Sequence, residues 1–97
     1  MGKTRIGLVG FGYIGHYIFE QIRDRTDLGL EIGFVHNRSP QKLTEVGSDK
    51  ILACLKDFAA YSVDLVVEVA HPDITLEYGA AFLAAADYMP LSLTALA

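Results

Sequence analysis

The sequence predicts an α/β fold of the doubly wound kind: a parallel sheet of five strands in the order 3-2-1-4-5, with helices on both faces. Three observations predict it. Apolar, β-rich runs alternate with segments of helical periodicity along the whole chain. A cluster of glycines stands where the first run gives way to the first helical segment. Of the 97 residues, 52% are hydrophobic, which suits strands covered on both faces rather than a sheet with one wet side. Strands separated by helices require right-handed crossovers and therefore run parallel. A chain of this length holds one domain.

Each element has a local cause. Residues 4–9, TRIGLV, form a β-rich run that ends in glycine. Ile14, Ile18 and Ile22 then recur at helical spacing, with Glu20, Gln21, Arg23 and Asp24 on the other side, so a helix is expected to run to about Asp27, before Gly29. Residues 30–36, LEIGFVH, read as the second strand. Ser39 and Pro40 read as cap and first residue of a short helix. Residues 50–55 read as a short third strand and residues 57–61 as a helical turn. Residues 64–70, DLVVEVA, are a buried strand, and residues 72–86 a helix with Ile74, Tyr78, Ala81, Phe82 and Ala85 on its inner face. Residues 88–93 are the fifth strand.

Charge and cysteine usage narrow the function. Eight basic against twelve acidic side chains give a net charge of −4, which disfavours nucleic acid as a partner, since phosphate backbones call for a basic surface. The single cysteine, Cys54, excludes an internal disulfide and points to a reducing compartment; its apolar neighbours predict that it is buried. The apolar stretch after Lys3 and Arg5 is interrupted by Gly7, Gly10, Gly12 and Gly15 and is too short to span a bilayer. No small-residue cleavage site follows it. A cytoplasmic protein with no membrane partner is the expectation.

Gly10-Phe11-Gly12-Tyr13-Ile14-Gly15 matches G-x-G-x-x-G and lies between a strand and a helix, the context in which the pattern marks a dinucleotide site of the Rossmann type. Gly10 permits the tight turn, Gly12 lets the backbone approach a pyrophosphate, and Gly15 lets helix and strand pack closely. The helix N-terminus offers N–H groups and partial positive charge. About 20 residues further on, where an acid would hold the ribose 2′-hydroxyl of NAD, the chain reads His36-Asn37-Arg38-Ser39. Asn37 can hydrogen-bond a ribose, and Arg38 and Ser39 suit a 2′-phosphate. NADP is therefore favoured over NAD. At the exit of the fourth strand, Ala70, His71 and Pro72 are expected to face the cofactor. Glu68, the one charge in that strand beyond Asp64, is expected to anchor nearby backbone N–H groups. His16 and His36 read as ordinary surface or loop residues, and no Cys/His spacing suits a metal.

The combination VGFGYIG, FVHNRSP, DLVVEVAHP and SLTALA resembles the L-aspartate dehydrogenases, especially the animal aspartate dehydrogenase domain-containing type. The resemblance covers nearly the whole chain but only the N-terminal half of that architecture. It implies an NAD(P)-dependent oxidoreductase that converts aspartate to iminoaspartate, which hydrolyses to oxaloacetate and ammonia, and it implies homodimers. It assigns residues 10–15 to the pyrophosphate loop, Asn37, Arg38 and Ser39 to the adenosine side, and Ala70 and His71 to the nicotinamide side. Ser92 begins the loop after the fifth strand, where Thr94 stands in place of the family's glycine and its aspartate is missing. The resemblance also places the catalytic histidine and the aspartate-binding groups in a following α+β domain, so no catalytic residue is expected here and the 97-residue chain is expected to be inactive alone. The alternatives are a non-enzymatic dinucleotide-sensing or oligomerising module, and a degenerate paralogue that binds nothing.

Overall fold

In the computed structural model, which describes residues 3–94, a parallel sheet is sandwiched between helices. Its strands are β1 (Thr4–Val9), β2 (Leu30–His36), β3 (Leu65–Glu68) and β4 (Asp87–Pro90), in the order β2-β1-β3-β4. Helix α1 (Tyr13–Asp24) links β1 to β2, and α2 (Pro72–Ala85) links β3 to β4.

Side chains alternate across the pleat and build two cores. Ile6 and Leu8 of β1, Ile32 of β2 and Val67 of β3 meet Phe19 and Ile22 of α1. Val9, Phe34 and Val66 point the other way, onto Phe58 and Phe82. The register of β1 and β2 slips between Ile6 and Gly7, and Gly33 is the extra residue of that bulge. The slip explains why Ile32 and Val35, three residues apart, face the same core, while Phe34 and Val35 are both fully buried because the sheet is covered on both faces.

Five expectations are corrected. The sheet has four strands among the described residues, not five. Residues 50–55 form no strand, and one parallel bridge, Ile51 to Val35, marks the place. Within that bridge Leu52 N–H donates to Val35 O at 2.9 Å, while the Leu52 carbonyl, which a second rung would use, accepts the His36 Nδ1 proton at 2.8 Å instead. The last strand stops at Pro90, and Leu91–Thr94 (α3) is one helical turn; the rest of the expected SLTALA segment, residues 95–97, lies outside the described residues. Helix α1 ends at Asp24, followed by a tight turn at Thr26–Leu28 and a left-handed Gly29. Cys54 is exposed, because Leu52 and Leu55 take the inward positions on either side of it.

The helix faces also turn relative to expectation. Gly15, Phe19 and Ile22 are buried in α1 while Ile14 is 59% exposed. In α2, Gly79 and Phe82 are buried and Ala81 and Ala85 are exposed. In α1 the close contact of Gly15 with Gly10 O sets which face turns inward, so the buried stripe runs through Gly15, Phe19 and Ile22. Phe82 is fully buried among the rings of Phe58, Tyr78 and Tyr88, with centroids 4.8–5.9 Å away. Phe82→Ala is expected to cost about 3–5 kcal/mol of unfolding free energy, read by urea denaturation; a loss below 1 kcal/mol contradicts this packing.

On the outer face of α1, Glu45 receives hydrogen bonds from His16 at 2.9 Å and Arg23 at 3.1 Å, and Arg23 also binds Asp24. These bonds hold the Glu45 and Asp24 carboxyls below their ordinary values, and the Arg25 bond does the same for Asp27. A carboxylate whose folded pKa is depressed stabilises the fold above its unfolded value, and that contribution is lost as pH falls. The melting temperature is therefore expected to be flat from about pH 8 to 5 and to fall below about pH 4.5, with a shallower fall at high salt because the pairs are exposed. A melting temperature that rises on acidification contradicts it.

Candidate functional site

The carboxyl ends of β1, β2 and β3 open on one cleft of about 500 Å³. Its floor is the turn after β1. Gly10 has φ +105°, and its N–H donates to His36 O at 2.7 Å, joining the ends of β1 and β2. A Cβ on Gly10 would lie 2.9 Å from Ala70 N, so the turn also touches the end of β3. Phe11 folds inward, 6% exposed, edge-on to His16 and Phe19. It anchors the turn with its side chain and leaves its backbone on the cleft.

Gly12 is exposed and has open space where a Cβ would be. Helix α1 begins at the next residue with no side-chain cap and no acid in its first turn. Its first backbone bond runs from His16 N to Gly12 O, which leaves the preceding amides without an intrahelical acceptor. Gly15 closes the arrangement, since a Cβ there would collide with Gly10 O. An uncapped helix N-terminus behind a bare glycine fits an anion such as a pyrophosphate. Tyr13 is 93% exposed and Ile14 also faces outward; neither of these expected cofactor residues, nor Gly15, lines the cleft.

The second wall is the loop after β2. Asn37 works as a clamp: its Oδ1 accepts the Phe11 N–H at 3.0 Å, and its Nδ2 donates to Ser39 O at 3.0 Å. Arg38 is exposed and lines the cleft with Ser39 and Lys42. Among the described residues neither Arg38 nor Lys42 has an acidic partner. Ser39 makes no side-chain cap for the Pro40–Lys42 turn. Sequence reasoning missed Lys42, although the turn begun at Pro40 brings it back to the cleft. His36, read as an ordinary loop residue, lines the cleft with Nδ1 committed to Leu52.

The third wall is the exit of β3. Ala70 and His71 line the cleft, as do Asp73 and Ile74, which the sequence did not single out. His71 caps α2: its Nδ1 accepts the Asp73 N–H at 3.1 Å. Pro72 occupies the first helical position and does not line the cleft. Neither does Ser92, whose hydroxyl donates to Glu68 Oε1. Glu68 is fully buried, and its Oε2 accepts from Ala70 N at 2.6 Å and His71 N at 2.7 Å, the anchoring that its position in the strand predicted. Nearby, burial pushes the Tyr88 hydroxyl above the usual phenol range; its hydrogen bond with Thr75 opposes this and the Glu68 charge adds to it.

The cleft thus joins a floor with free backbone amides, a cationic wall and an end lined by Ala70, His71, Asp73 and Ile74. Residues 10–97 match the family described as the NAD-binding domain of homoserine dehydrogenase. The chain belongs to that family. Its relatives include the aspartate dehydrogenase domain-containing proteins of Xenopus tropicalis and Danio rerio, 43% and 38% identical over 98% and 95% of this chain. An L-aspartate dehydrogenase of Methanocaldococcus jannaschii is 36% identical over 68% of it. The chain spans about a third of the length of the two vertebrate relatives (34%) and 26% of the archaeal one. Among solved structures, a meso-dapdh mutant with DAP from Clostridium tetani E88 superposes with TM-score 0.64 at 21% identity, covering 89% of this chain and 27% of that one. RSP, a Rex-family repressor, gives TM-score 0.66 at 14% identity, covering 89% and 43%. These two likenesses establish the Rossmann-like fold. Family membership makes the chain a nicotinamide-dinucleotide-binding domain. No helix among the described residues is long and apolar enough to cross a membrane.

The Asn37 clamp is open to a direct check. Asn37→Ala leaves the Phe11 N–H without its acceptor and is expected to cost about 1–3 kcal/mol of stability in urea denaturation. Asn37→Asp keeps that acceptor and is expected to recover most of the loss. An unchanged midpoint in Asn37→Ala would remove the clamp.

Proposed function

We propose that this chain is the cofactor half of an aspartate dehydrogenase-like oxidoreductase, that it favours NADP(H), and that it works in the cytoplasm. The observation that carries the reading is the pairing of an uncapped helix N-terminus with two unpartnered cations, Arg38 and Lys42, on one cleft. The floor suits the pyrophosphate through Gly10, Phe11, Gly12 and the first amides of α1. The end of β2 carries no acid to repel a 2′-phosphate, and Arg38, Ser39 and Lys42 supply charge and hydrogen bonds for one. Ala70 and His71 form the nicotinamide end. When bound, the dinucleotide supplies the hydride acceptor or donor.

On this reading, oxidation of aspartate needs a second domain. Hydride transfer requires the substrate held about 3–3.5 Å from the nicotinamide, and the end of the cleft lined by Ala70, His71, Asp73 and Ile74 offers no Lys or Arg to grip a dicarboxylate there. The histidines are committed elsewhere: His16 to Glu45, His36 to Leu52, His71 to the cap of α2. The isolated chain is expected to bind cofactor with little or no turnover.

Fluorescence titration with NADPH and NADH is the test. NADPH is expected to bind more tightly, and the double substitution of Arg38→Ala and Lys42→Ala to weaken NADPH by about 10- to 100-fold while changing NADH little. Tighter NADH binding by the wild-type chain defeats the NADP preference. Absence of binding to either defeats the cofactor reading, and aspartate oxidation by the chain alone defeats the need for a second domain.

A further inference from the structure

We propose that Glu68 is a positioning residue for the nicotinamide end of the cleft, one that ties the exit of β3 to the exit of β4 through a single buried carboxylate. The inference rests on the dinucleotide reading and adds a division of labour within it. Glu68 has no exposed surface. Its two oxygens face two different parts of the chain. Oε2 holds the amides of Ala70 and His71 at 2.6 and 2.7 Å, and Oε1 holds the hydroxyl of Ser92. Glu68 also pairs with Pro90 in the β3–β4 ladder, so its carboxylate acts beside the last rung of the sheet.

Burying a carboxylate is unfavourable unless its hydrogen bonds repay it. A leucine of similar volume would fill the site at lower cost, so packing alone does not call for an acid here. What the acid adds is direction. The Ala70 and His71 amides are drawn toward Glu68, and Ala70 in turn abuts the Gly10 turn, where a Cβ would lie 3.0 Å from the Ala70 Cβ. The distance between floor and third wall is therefore set by Glu68. The adenosine wall is held separately, by Asn37 bonded to Phe11 and Ser39, and shares no hydrogen bond with the Glu68 network.

That separation gives the experiment. Wild-type, Glu68→Leu, Glu68→Gln and Ser92→Ala chains are titrated with NADPH and with 2′,5′-ADP, which carries only the adenosine half. Glu68→Leu is expected to weaken NADPH about tenfold and leave 2′,5′-ADP unchanged. Glu68→Gln restores NADPH affinity, because a side-chain amide oxygen can accept both backbone N–H groups and its nitrogen can donate to Ser92. Ser92→Ala removes one tie, keeps the carboxylate anchored, and is expected to weaken NADPH by a smaller factor with 2′,5′-ADP again unchanged; it decides the matter if Glu68→Leu does not fold. In the ligand-free protein, hydrogen exchange at Ala70 and His71 is expected to quicken in Glu68→Leu while β1 stays protected. Unchanged NADPH affinity in Glu68→Leu, or in Ser92→Ala where that variant decides, overturns the positioning role and leaves the dinucleotide reading standing. Equal losses for both ligands make the role merely structural and overturn it as well. A wild-type chain that binds neither ligand overturns both.

Discussion

The structure depends on how closely the start of α1 approaches the end of β1. Gly15 lies against the carbonyl of Gly10 with no room for a Cβ between them, and Gly10 itself turns at a φ that side chains avoid. This one contact has three consequences. The helix axis is brought down onto the sheet, so Phe19 and Ile22 reach Ile6 and Leu8. The first amides of α1 are left at the mouth of the cleft, uncapped. Phe11 is driven inward, where it packs edge-on against His16 and Phe19 of the helix that it precedes. Core and site are thus made by the same few atoms, and a side chain at Gly15 would disturb both.

Much of this was legible in the sequence because the constraints are local. A strand that ends in glycine and resumes as a helix leaves a pattern in consecutive residues, and the loop, both long helices and the strands β1, β2 and β3 follow from such patterns. The errors have non-local causes. Residues 50–55 carry a strand-like run, but the side chain of His36 takes the Leu52 carbonyl that a second rung would need. Ile14 fits a helical stripe with Ile18 and Ile22, yet the close approach at Gly15 turns that stripe, and Ile14 faces outward. Cys54 sits among apolar neighbours that are themselves the buried ones. In each case a tertiary contact overrode a pattern that was correctly read.

The candidate site shows the same division. Its floor was legible in detail, since G-x-G-x-x-G specifies backbone geometry. Its walls were legible only in part. Asn37 looked like a ribose ligand because its residue type suits one, whereas the structure uses both ends of its amide to hold the loop against the floor. Lys42 went unnoticed because nothing in its immediate neighbours marks it; its place on the cleft comes from the Pro40 turn. Glu68 was the reverse case. A charge in an apolar strand demands partners, and the nearest donors along the chain, at residues 70 and 71, proved to be two of them. Ser92 was distant in sequence and could not be paired with it without the sheet.

These assignments have a common logic. Every polar group near the cleft that is buried, or that ties one segment to another, is already spent on holding the walls: Asn37 on the floor, His36 on Leu52, His71 on the helix cap, Glu68 on two strand ends. The cationic and donor groups left unspent are backbone amides at the helix start, the Ser39 hydroxyl and the cations Arg38 and Lys42, with the Asp73 carboxylate at the far end. Amides and cations recognise phosphate, and they do so without transferring a proton. A cleft built this way is suited to gripping a polyanionic ligand in one orientation and ill suited to acid–base chemistry on a second molecule.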